Sequence, residues 1–278
     1  MKVAKSIAVL RAWRKSRSAR VVLVPTMGAL HAGHVALIHA ARKLAGEQGA
    51  VVVSIFVNPT QFGPKEDFAS YPRPFRQDAA LCRAAGADAI FWPSVEELYS
   101  GDASVAVEES FLSLALCGRS RPGHFRGVCT VVAKLLLIAQ PTHAVFGEKD
   151  WQQLAILRRM VRDLNFPVQV IGHPTVREPD GLATSSRNAY LTAAERAIAP
   201  RIHAALQSAA TKKSPAAIEA AARKSLSSIP GARLDYAEAV DAESLQPLKN
   251  RKSPGRLAAA VFLGRARLID NIALPSLP

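Results

Sequence analysis

Residues 21–34, with the sequence VVLVPTMGALHAGH, constrain the fold of this chain more than any other segment. An apolar run ends at Pro25, which is typical of a buried parallel strand, and the residues after Gly33 are typical of the first turn of a helix. In open α/β sheets, ligands bind at the carboxyl ends of strands, where the next helix offers free N–H groups to an anion. His31 and His34 therefore become candidates to contact one bound phosphate. The alternative is that they are ordinary capping or surface histidines.

The length and cysteine content narrow the class of protein. With 278 residues the chain is long enough for two domains or for one large α/β domain. Its cysteines, at positions 82, 117 and 129, are odd in number and lack metal-ligand spacing, so we expect free thiols in a reducing, cytoplasmic setting and no zinc site. The apolar runs are much shorter than the ~20 residues of a membrane span, so no membrane partner is expected.

The net charge of +14 suggests binding to nucleic acid, because lysine and arginine neutralise phosphates of any sequence. Most of this charge lies outside the motifs described below, however, and a nucleic-acid partner is therefore not expected.

The acid-poor segment before Val21 also resembles a transit peptide. Ile7, Leu10 and Trp13 recur in it at helical spacing, which favours a solvated helix that leads directly into a first strand at Val21.

Strands and helices alternate up to about residue 190, which predicts a parallel sheet. The later strands are predicted at 51–57, 88–93, 143–146 and 168–171, with a short edge strand at 105–107. Helices are predicted at 35–44, 75–86 and 128–139, with a further helix ending at 163. Beyond residue 190, two alanine-rich helices precede strands at 234–240, 257–263 and 266–269. We predict a Rossmann-like parallel-sheet domain at 1–189 and a smaller α+β lid domain at 190–278.

Polar residues follow several of these strands. Asn58 and Gln61 follow the second strand, and the GEKD segment at 147–150 contains Lys149, a mobile phosphate-binding charge, and Asp150, a helix cap. Arg121 lies in a basic stretch at 119–127 that either binds an anion or is simply solvated. The loop at 176–188 is rich in hydroxyl groups, and it either wraps a triphosphate or is an ordinary turn.

Several separated segments together resemble one protein family. They are PTMGALHAGH, IFVNPTQFGPKEDFASYPR, RPGHFRG, FGEKDWQQL and REPDGLATSSRNAYL, and the ending RLIDN at 267–271 fits as well. Over essentially the whole chain, these segments are similar to the pantothenate synthetase (pantoate–β-alanine ligase) family, which shares an HxGH signature with nucleotidylyltransferases. The resemblance implies an ATP-dependent ligase in which the carboxylate of (R)-pantoate attacks the α-phosphorus of ATP and releases pyrophosphate. The amine of β-alanine then displaces AMP from pantoyl adenylate.

The resemblance also implies roles for individual residues. His34 is expected to be the proton donor, while His31 and Lys149 contact phosphates. Gln61 and Gln153 are expected to hold pantoate, with Gln61 also meeting β-alanine. Near this pocket lie Asn58, Tyr71 and Arg121. The expected nucleotide contacts are Met27, Gly28, Ala29, Leu30, His31, Ala32, Gly33, His34, Gly147, Glu148, Lys149, Asp150, Val176, Thr184, Ser185, Ser186 and Arg187.

Mg²⁺ is expected to accompany ATP, held mainly by phosphate oxygens and water, with Asp150 as the one candidate protein ligand. The family resemblance further implies a homodimer.

Two positions depart from the family pattern: Thr60 replaces a frequent methionine, and Thr184 replaces a larger apolar residue. Both departures concern the fit of the substrate more than the reaction. The HxGH signature alone also fits a nucleotidylyltransferase that keeps the nucleotide on its product.

Overall fold

The computed structural model describes residues 1–17, 19–64 and 66–277. The chain divides into two compact units, each assembled from separate stretches. The first unit comprises Met1–Ser110, Arg121–Glu148 and Ile156–Pro174, and the second comprises Phe111–Ser120, Lys149–Ala155 and Thr175–Pro278. The domain boundary near residue 190 stays a prediction.

The strands and helices are numbered here in chain order. The strands are β1 Lys2–Ala4, β2 Val21–Thr26, β3 Ala50–Ile55, β4 Ala89–Phe91, β5 His143–Gly147, β6 Gln169–His173, β7 Ala232–Asp241, β8 Gly255–Leu263 and β9 Ala266–Leu274. The helices are α1 Ile7–Lys15, α2 Ala32–Ala45, α3 Phe75–Ala84, α4 Val95–Leu98, α5 Leu116–Ser120, α6 His124–Ala139, α7 Trp151–Asp163, α8 Ala193–Ile198, α9 Arg201–Ala210 and α10 Pro215–Ser227.

The first unit contains a six-stranded sheet in the order β1-β4-β3-β2-β5-β6, and all of its strand pairs are parallel. Strand β3 is buried along its whole length, as expected for a parallel strand covered on both faces. From α2, Leu37, Ile38 and Ala41 pack into the core on this sheet. The α/β fold class predicted from the alternating pattern is thereby confirmed.

The direction of chain growth reverses between β2 and β5. After β2 the chain adds β3 and β4 on one side, whereas β5 and β6 lie on the other side. Such a switch point leaves a crevice outside the carboxyl ends of the two central strands, and ligands bind there in open α/β sheets. The segment that follows β2 and the residues at the end of β5 therefore share the favoured ligand position of this fold.

Two predictions about the sheet edge are wrong. The sheet begins at Lys2 rather than Val21, because β1 pairs with β4 from Lys2↔Ala89 to Ala4↔Phe91. Residues 105–107 form no strand in the described chain, and Val105 is 88% exposed. A short edge strand is defined by its hydrogen-bonding neighbour more than by its own residues, so neither error was avoidable from local pattern. Helix α1, by contrast, is confirmed, and Leu10 is its buried residue.

The second unit contains a smaller antiparallel sheet in the order β7-β8-β9. Leu206 of α9 and Ile218 and Leu226 of α10 are fully buried in one cluster with Leu257 and Val261 of β8. This arrangement confirms the predicted combination of a parallel sheet with a smaller helix-plus-sheet unit. Among the helices that the structure describes, none combines the length and the apolar character needed to cross a membrane.

Candidate active site

The loop between β2 and α2 turns sharply at the switch point of the sheet. Gly28 and Ala29 have φ values of 83° and 50°, in the left-handed region that glycine tolerates and alanine rarely adopts. The Thr26 hydroxyl begins the turn, since it donates to the Ser54 carbonyl at 2.7 Å and accepts from the Gly28 N–H at 3.2 Å. The loop thus depends on side-chain partners that satisfy its backbone.

Asp78 of α3 is the main partner of this loop. Its carboxylate accepts hydrogen bonds from the N–H groups of Ala29, at 3.0 Å, and Leu30, at 2.8 Å. The residue is 1% exposed, and burial raises its pKa, although the two backbone donors act in the opposite direction. Sequence reasoning placed Asp78 within a predicted helix and missed this role, because a single aspartate in a helix carries no distinguishing pattern.

His31 and His34 cap the N-terminus of α2. His31 is the N-cap residue, and its Nδ1 accepts from the Gly33 N–H at 3.1 Å; the His31 N–H in turn donates to Nδ1 of His34 at 3.4 Å. The centroids of the two rings are 4.0 Å apart. Because both Nδ1 atoms accept hydrogen bonds, the proton of each neutral ring resides on Nε2. Capping engages the Nδ1 atoms, so it is compatible with the predicted phosphate contact through Nε2.

Asn58 lies at the carboxyl end of β3 and is 1% exposed. Its Oδ1 accepts from the hydroxyls of Tyr99 and Thr60, each at 2.9 Å, and its Nδ2 donates to the Gly127 carbonyl at 3.1 Å. These contacts set the orientation of the Asn58 amide. The Thr60 hydroxyl is part of this network.

The orientation of Asn58 determines which end of Gln61 is presented. Nδ2 of Asn58 also donates to Oε1 of Gln61 at 3.1 Å, while Nε2 of Gln61 lies 3.1 Å from Sδ of Met27. Gln61 therefore offers an N–H donor on the side of Met27. Close packing supports this geometry, since a Cβ atom added at Gly127 of α6 would lie 2.3 Å from the Thr60 carbonyl oxygen.

Arg121 precedes α6 and forms an ion pair with Glu66. Its Nε and Nη2 atoms donate to the two Glu66 carboxylate oxygens at 2.7 and 2.6 Å. Burial by itself raises the pKa of Glu66, but the hydrogen bond and charge of Arg121 more than offset this effect and hold the pKa below its ordinary value.

Neighbouring His124 contacts the Gln61 carbonyl through Nδ1 at 2.8 Å. Tyr71 is 5% exposed and packs edge-on against Phe62.

Lys149 lies in the second unit and is held at both its backbone and its side chain. The Nζ atom donates to the Thr184 carbonyl at 3.1 Å, and the Lys149 carbonyl accepts from Nδ2 of Asn271 at 2.9 Å. Burial lowers the pKa of Lys149, and the negative charges of Asp150 and Asp270 partly oppose this shift. The Lys149 side chain therefore has a defined position, unlike that of an exposed lysine.

The hydroxyl-rich loop is ordered around Lys149. The Thr184 N–H donates to the Val176 carbonyl at 3.0 Å, and the Ser185 hydroxyl caps a short 3-10 turn, Ser186–Tyr190, by accepting from the Arg187 N–H. Lys149 and Ser185 line one small pocket of this unit.

Gln153 of α7 is partly exposed, whereas the adjacent Gln152 is buried and bonded to backbone groups of residues 112–117.

The residues predicted to form the site fall into two groups. The first unit holds residues 27–34, Asn58, Gln61, Tyr71, Arg121, Gly147 and Glu148, and the second holds Lys149, Asp150, Gln153, Val176 and residues 184–187. Within the first unit, 27–34 and Gly147 share the switch point, and Gln61 contacts Met27. Throughout the described part of the chain, no cluster of three or more histidine, cysteine, aspartate or glutamate side chains is arranged to hold a metal ion.

A parallel α/β sheet with a histidine-capped helix at its switch point is typical of α/β proteins that bind anionic ligands such as nucleotides, and comparison with known proteins identifies the family. The pantoate-beta-alanine ligase family model matches residues 2–273. The pantothenate synthetase of Akkermansia muciniphila is 55% identical over 91% of this chain and 92% of its own length. That of Moorella thermoacetica is 48% identical over 99% of both chains.

Solved structures agree with these relatives. The pantothenate synthetase of Thermus thermophilus matches with a TM-score of 0.91 and 45% identity, over 99% of this chain and 100% of that one. The pantoate-beta-alanine ligase of Francisella tularensis, complexed with beta-gamma ATP and β-alanine, matches with a TM-score of 0.81 and 35% identity, over 98% and 97% of the two chains. The present chain belongs to the pantoate–β-alanine ligase family, which confirms the resemblance noted from its motifs.

We predict that Asp78→Ala will destabilise the protein and release the loop between β2 and α2. The change leaves the Ala29 and Leu30 N–H groups without an acceptor, and each unsatisfied buried group costs roughly 1–3 kcal/mol. Denaturant unfolding is expected to show a loss of about 2 kcal/mol or more. Hydrogen exchange should speed up at these two amides, whereas the exposed Asp102→Ala control leaves both measurements unchanged. Unchanged exchange at Ala29 and Leu30 in Asp78→Ala would contradict the assignment.

Proposed function

We infer that this chain carries out the reaction of its family: it joins (R)-pantoate to β-alanine and converts ATP to AMP and pyrophosphate. In the first step a pantoate carboxylate oxygen attacks the α-phosphorus, and pyrophosphate leaves. In the second step the β-alanine amine attacks the acyl carbon of pantoyl adenylate, and AMP leaves. The observation that carries this inference is the 55% identity to a pantothenate synthetase over 91% of the chain.

The first step builds negative charge on phosphoryl oxygens, so preorganised donors should contribute most of its catalysis. We assign this role to His31 and His34, whose Nδ1 atoms are engaged in capping and whose Nε2 atoms carry the proton. The N-terminus of α2 adds a favourable dipole for an anion. His34 is the proposed proton donor, and residues 27–34 with Gly147 and Glu148 are the proposed nucleotide contacts of the first unit.

In the second unit, Lys149 is the proposed phosphate ligand. Its Nζ is held by the Thr184 carbonyl, so the charge is already placed before a nucleotide binds. Val176, Thr184, Ser185, Ser186 and Arg187 are the proposed nucleotide contacts around it. Mg²⁺ would accompany ATP, and Asp150 is its proposed protein contact.

Gln61 is the proposed pantoate ligand of the first unit, with β-alanine meeting the same residue. Since Asn58 engages its Oε1, Gln61 offers N–H donors, which suit the carboxylate and hydroxyl oxygens of pantoate. Gln153 is the second proposed pantoate ligand. Direct pantoate contacts of Asn58, Tyr71 and Arg121 stay predictions, as do the homodimer and the cytoplasmic location.

The decisive experiment follows the fate of the phosphates in ATP. The purified protein should release pyrophosphate only when pantoate is present, and it should form pantothenate and free AMP once β-alanine is added. Release of ADP, or turnover without pantoate, would exclude adenylation. A product that retains the nucleotide would instead indicate a nucleotidylyltransferase.

His34→Ala is expected to slow pantoate-dependent pyrophosphate release by about 100-fold or more, the usual effect of removing one preorganised donor. His39→Ala is the matched control, because His39 lies on the same helix and is exposed. Both variants should keep the circular dichroism spectrum of the parent protein. Pyrophosphate release by His34→Ala at the parental rate would remove His34 from its proposed role.

Gln61→Glu is expected to raise KM for pantoate by about tenfold or more, by placing a negative charge next to the pantoate carboxylate; like charges in contact cost several kcal/mol. The Asn58 contact survives in this variant, because a carboxylate oxygen accepts as the amide oxygen did. KM for ATP should stay near its original value, and the exposed Gln77→Glu control should change neither constant. Steady-state kinetics with each substrate varied in turn provides the measurement, and an equal rise in both constants argues against a pantoate-specific role.

A further inference from the structure

Asp270 and Asn271 are adjacent polar residues in β9, and each is only 4% exposed. A buried polar side chain destabilises the fold unless it is hydrogen-bonded, so the partners of Asp270 and Asn271 indicate the structural role of these two residues. The partners lie around Lys149, and no sequence motif assigned a role to Asp270 or Asn271.

Asn271 holds the backbone of Lys149. Its Nδ2 donates to the Lys149 carbonyl at 2.9 Å, and its Oδ1 accepts from Nη1 of Arg256 at 3.1 Å. The guanidinium of Arg256 in turn stacks on the Trp151 ring, with 3.5 Å between the guanidinium carbon and the ring centroid. Asn271 thus links β9 to the residue proposed to bind phosphate and to the start of α7.

Asp270 holds the turn at residues 176–184, which contains the Thr184 carbonyl that accepts from Nζ of Lys149. Its two carboxylate oxygens each accept from Arg177 at 2.8 Å, and Nδ1 of His203 lies 3.2 Å away. Burial raises the pKa of Asp270, but its contacts with His203 and Arg177 outweigh this and hold the pKa below the ordinary range. A bidentate pair of this kind specifies both distance and orientation.

Arg177 transmits this constraint to Thr184. Its Nη1 donates to the Gly181 carbonyl at 3.1 Å, and its backbone pairs with Ala183 in an antiparallel bridge. Beside this bridge the Thr184 N–H donates to the Val176 carbonyl, and the Thr184 carbonyl accepts from Nζ of Lys149. The turn from Val176 to Thr184 is therefore fastened to β9 through Asp270.

We propose that Asp270 and Asn271 are positioning residues that hold Lys149 and residues 184–187 in the arrangement required for ATP. Asn271 places the Lys149 backbone, and Asp270 places the carbonyl that orients its ammonium group. The inference rests on the proposed function, in which Lys149 binds the phosphates. It predicts that loss of either residue weakens the use of ATP more than the use of pantoate, since neither Gln61 nor Gln153, the two proposed pantoate ligands, makes any of the contacts just described.

The test compares Asp270→Asn and Asn271→Ala with the parent protein in pantoate-dependent pyrophosphate release. Both variants are expected to raise KM for ATP about tenfold, as follows from losing one hydrogen bond to a charged or backbone group of the site. KM for pantoate should change less than about twofold. Binding of a non-hydrolysable ATP analogue, measured by calorimetry, should weaken by the same factor as KM for ATP.

Asp235→Asn is the matched control, because Asp235 forms a comparable pair with Arg267 at 2.7 Å in the same sheet. It should lower the thermal unfolding temperature while leaving KM for ATP unchanged. A purely structural role for Asp270 would make the kinetic defect follow stability in all three variants, and that result would overturn the proposal. If Asp270→Asn fails to fold, Asn271→Ala decides alone, and a parental KM for ATP in it would overturn the proposal as well.

Failure of the proposed function is distinguishable from failure of this inference. A parent protein that releases no pyrophosphate with pantoate refutes the proposed function. A parent protein that does so, next to variants with unaltered KM for ATP, refutes only the positioning role.

Discussion

The first unit depends on satisfying the backbone N–H groups where β2 gives way to α2. A buried donor without an acceptor is costly, and this loop has left-handed residues that cannot continue the sheet. Asp78 accepts from two of the donors, and the histidine side chains of the capping box accept from others. The groups that make the turn possible therefore also fix where His31 and His34 lie.

Hydrogen bonds that lead to buried groups also orient the Gln61 amide and the Lys149 ammonium group. Gln61 and Lys149 are flexible in isolation, yet each is held by a hydrogen-bond chain that leads to a buried residue, Asn58 in one unit and Asp270 in the other. Such preorganisation reduces the entropy lost when a substrate binds. In both cases the buried residue orients the ligand side chain through a hydrogen bond or a chain of them.

Much of the fold was predictable, because parallel strands covered on both faces require apolar runs and the helices between them require a 3.6-residue period. The strand positions near 21–24, 51–55 and 143–146 follow from this rule. The three strands of the second unit were also predicted, whereas their antiparallel pairing is seen only in the structure. The edge of the parallel sheet did not follow from it. Lys2–Ala4 has no recognisable strand pattern, and it becomes β1 only because β4 offers unpaired hydrogen-bonding groups beside it.

The sequence by itself determined most of the strands and helices, the family and the identity of the candidate ligands, since these reside in local runs and contiguous motifs. Only the tertiary structure decided which residues orient those ligands. Asp78 and Leu30 are 48 positions apart, and Arg177 and Asp270 are 93 positions apart. Hydrogen bonds of such range leave no periodic signal in the chain, because they are set by how the strands and helices of each unit pack. The histidines illustrate both halves of this result: their HxGH spacing was visible in the sequence, whereas the nitrogen that each uses for capping became visible only in the fold.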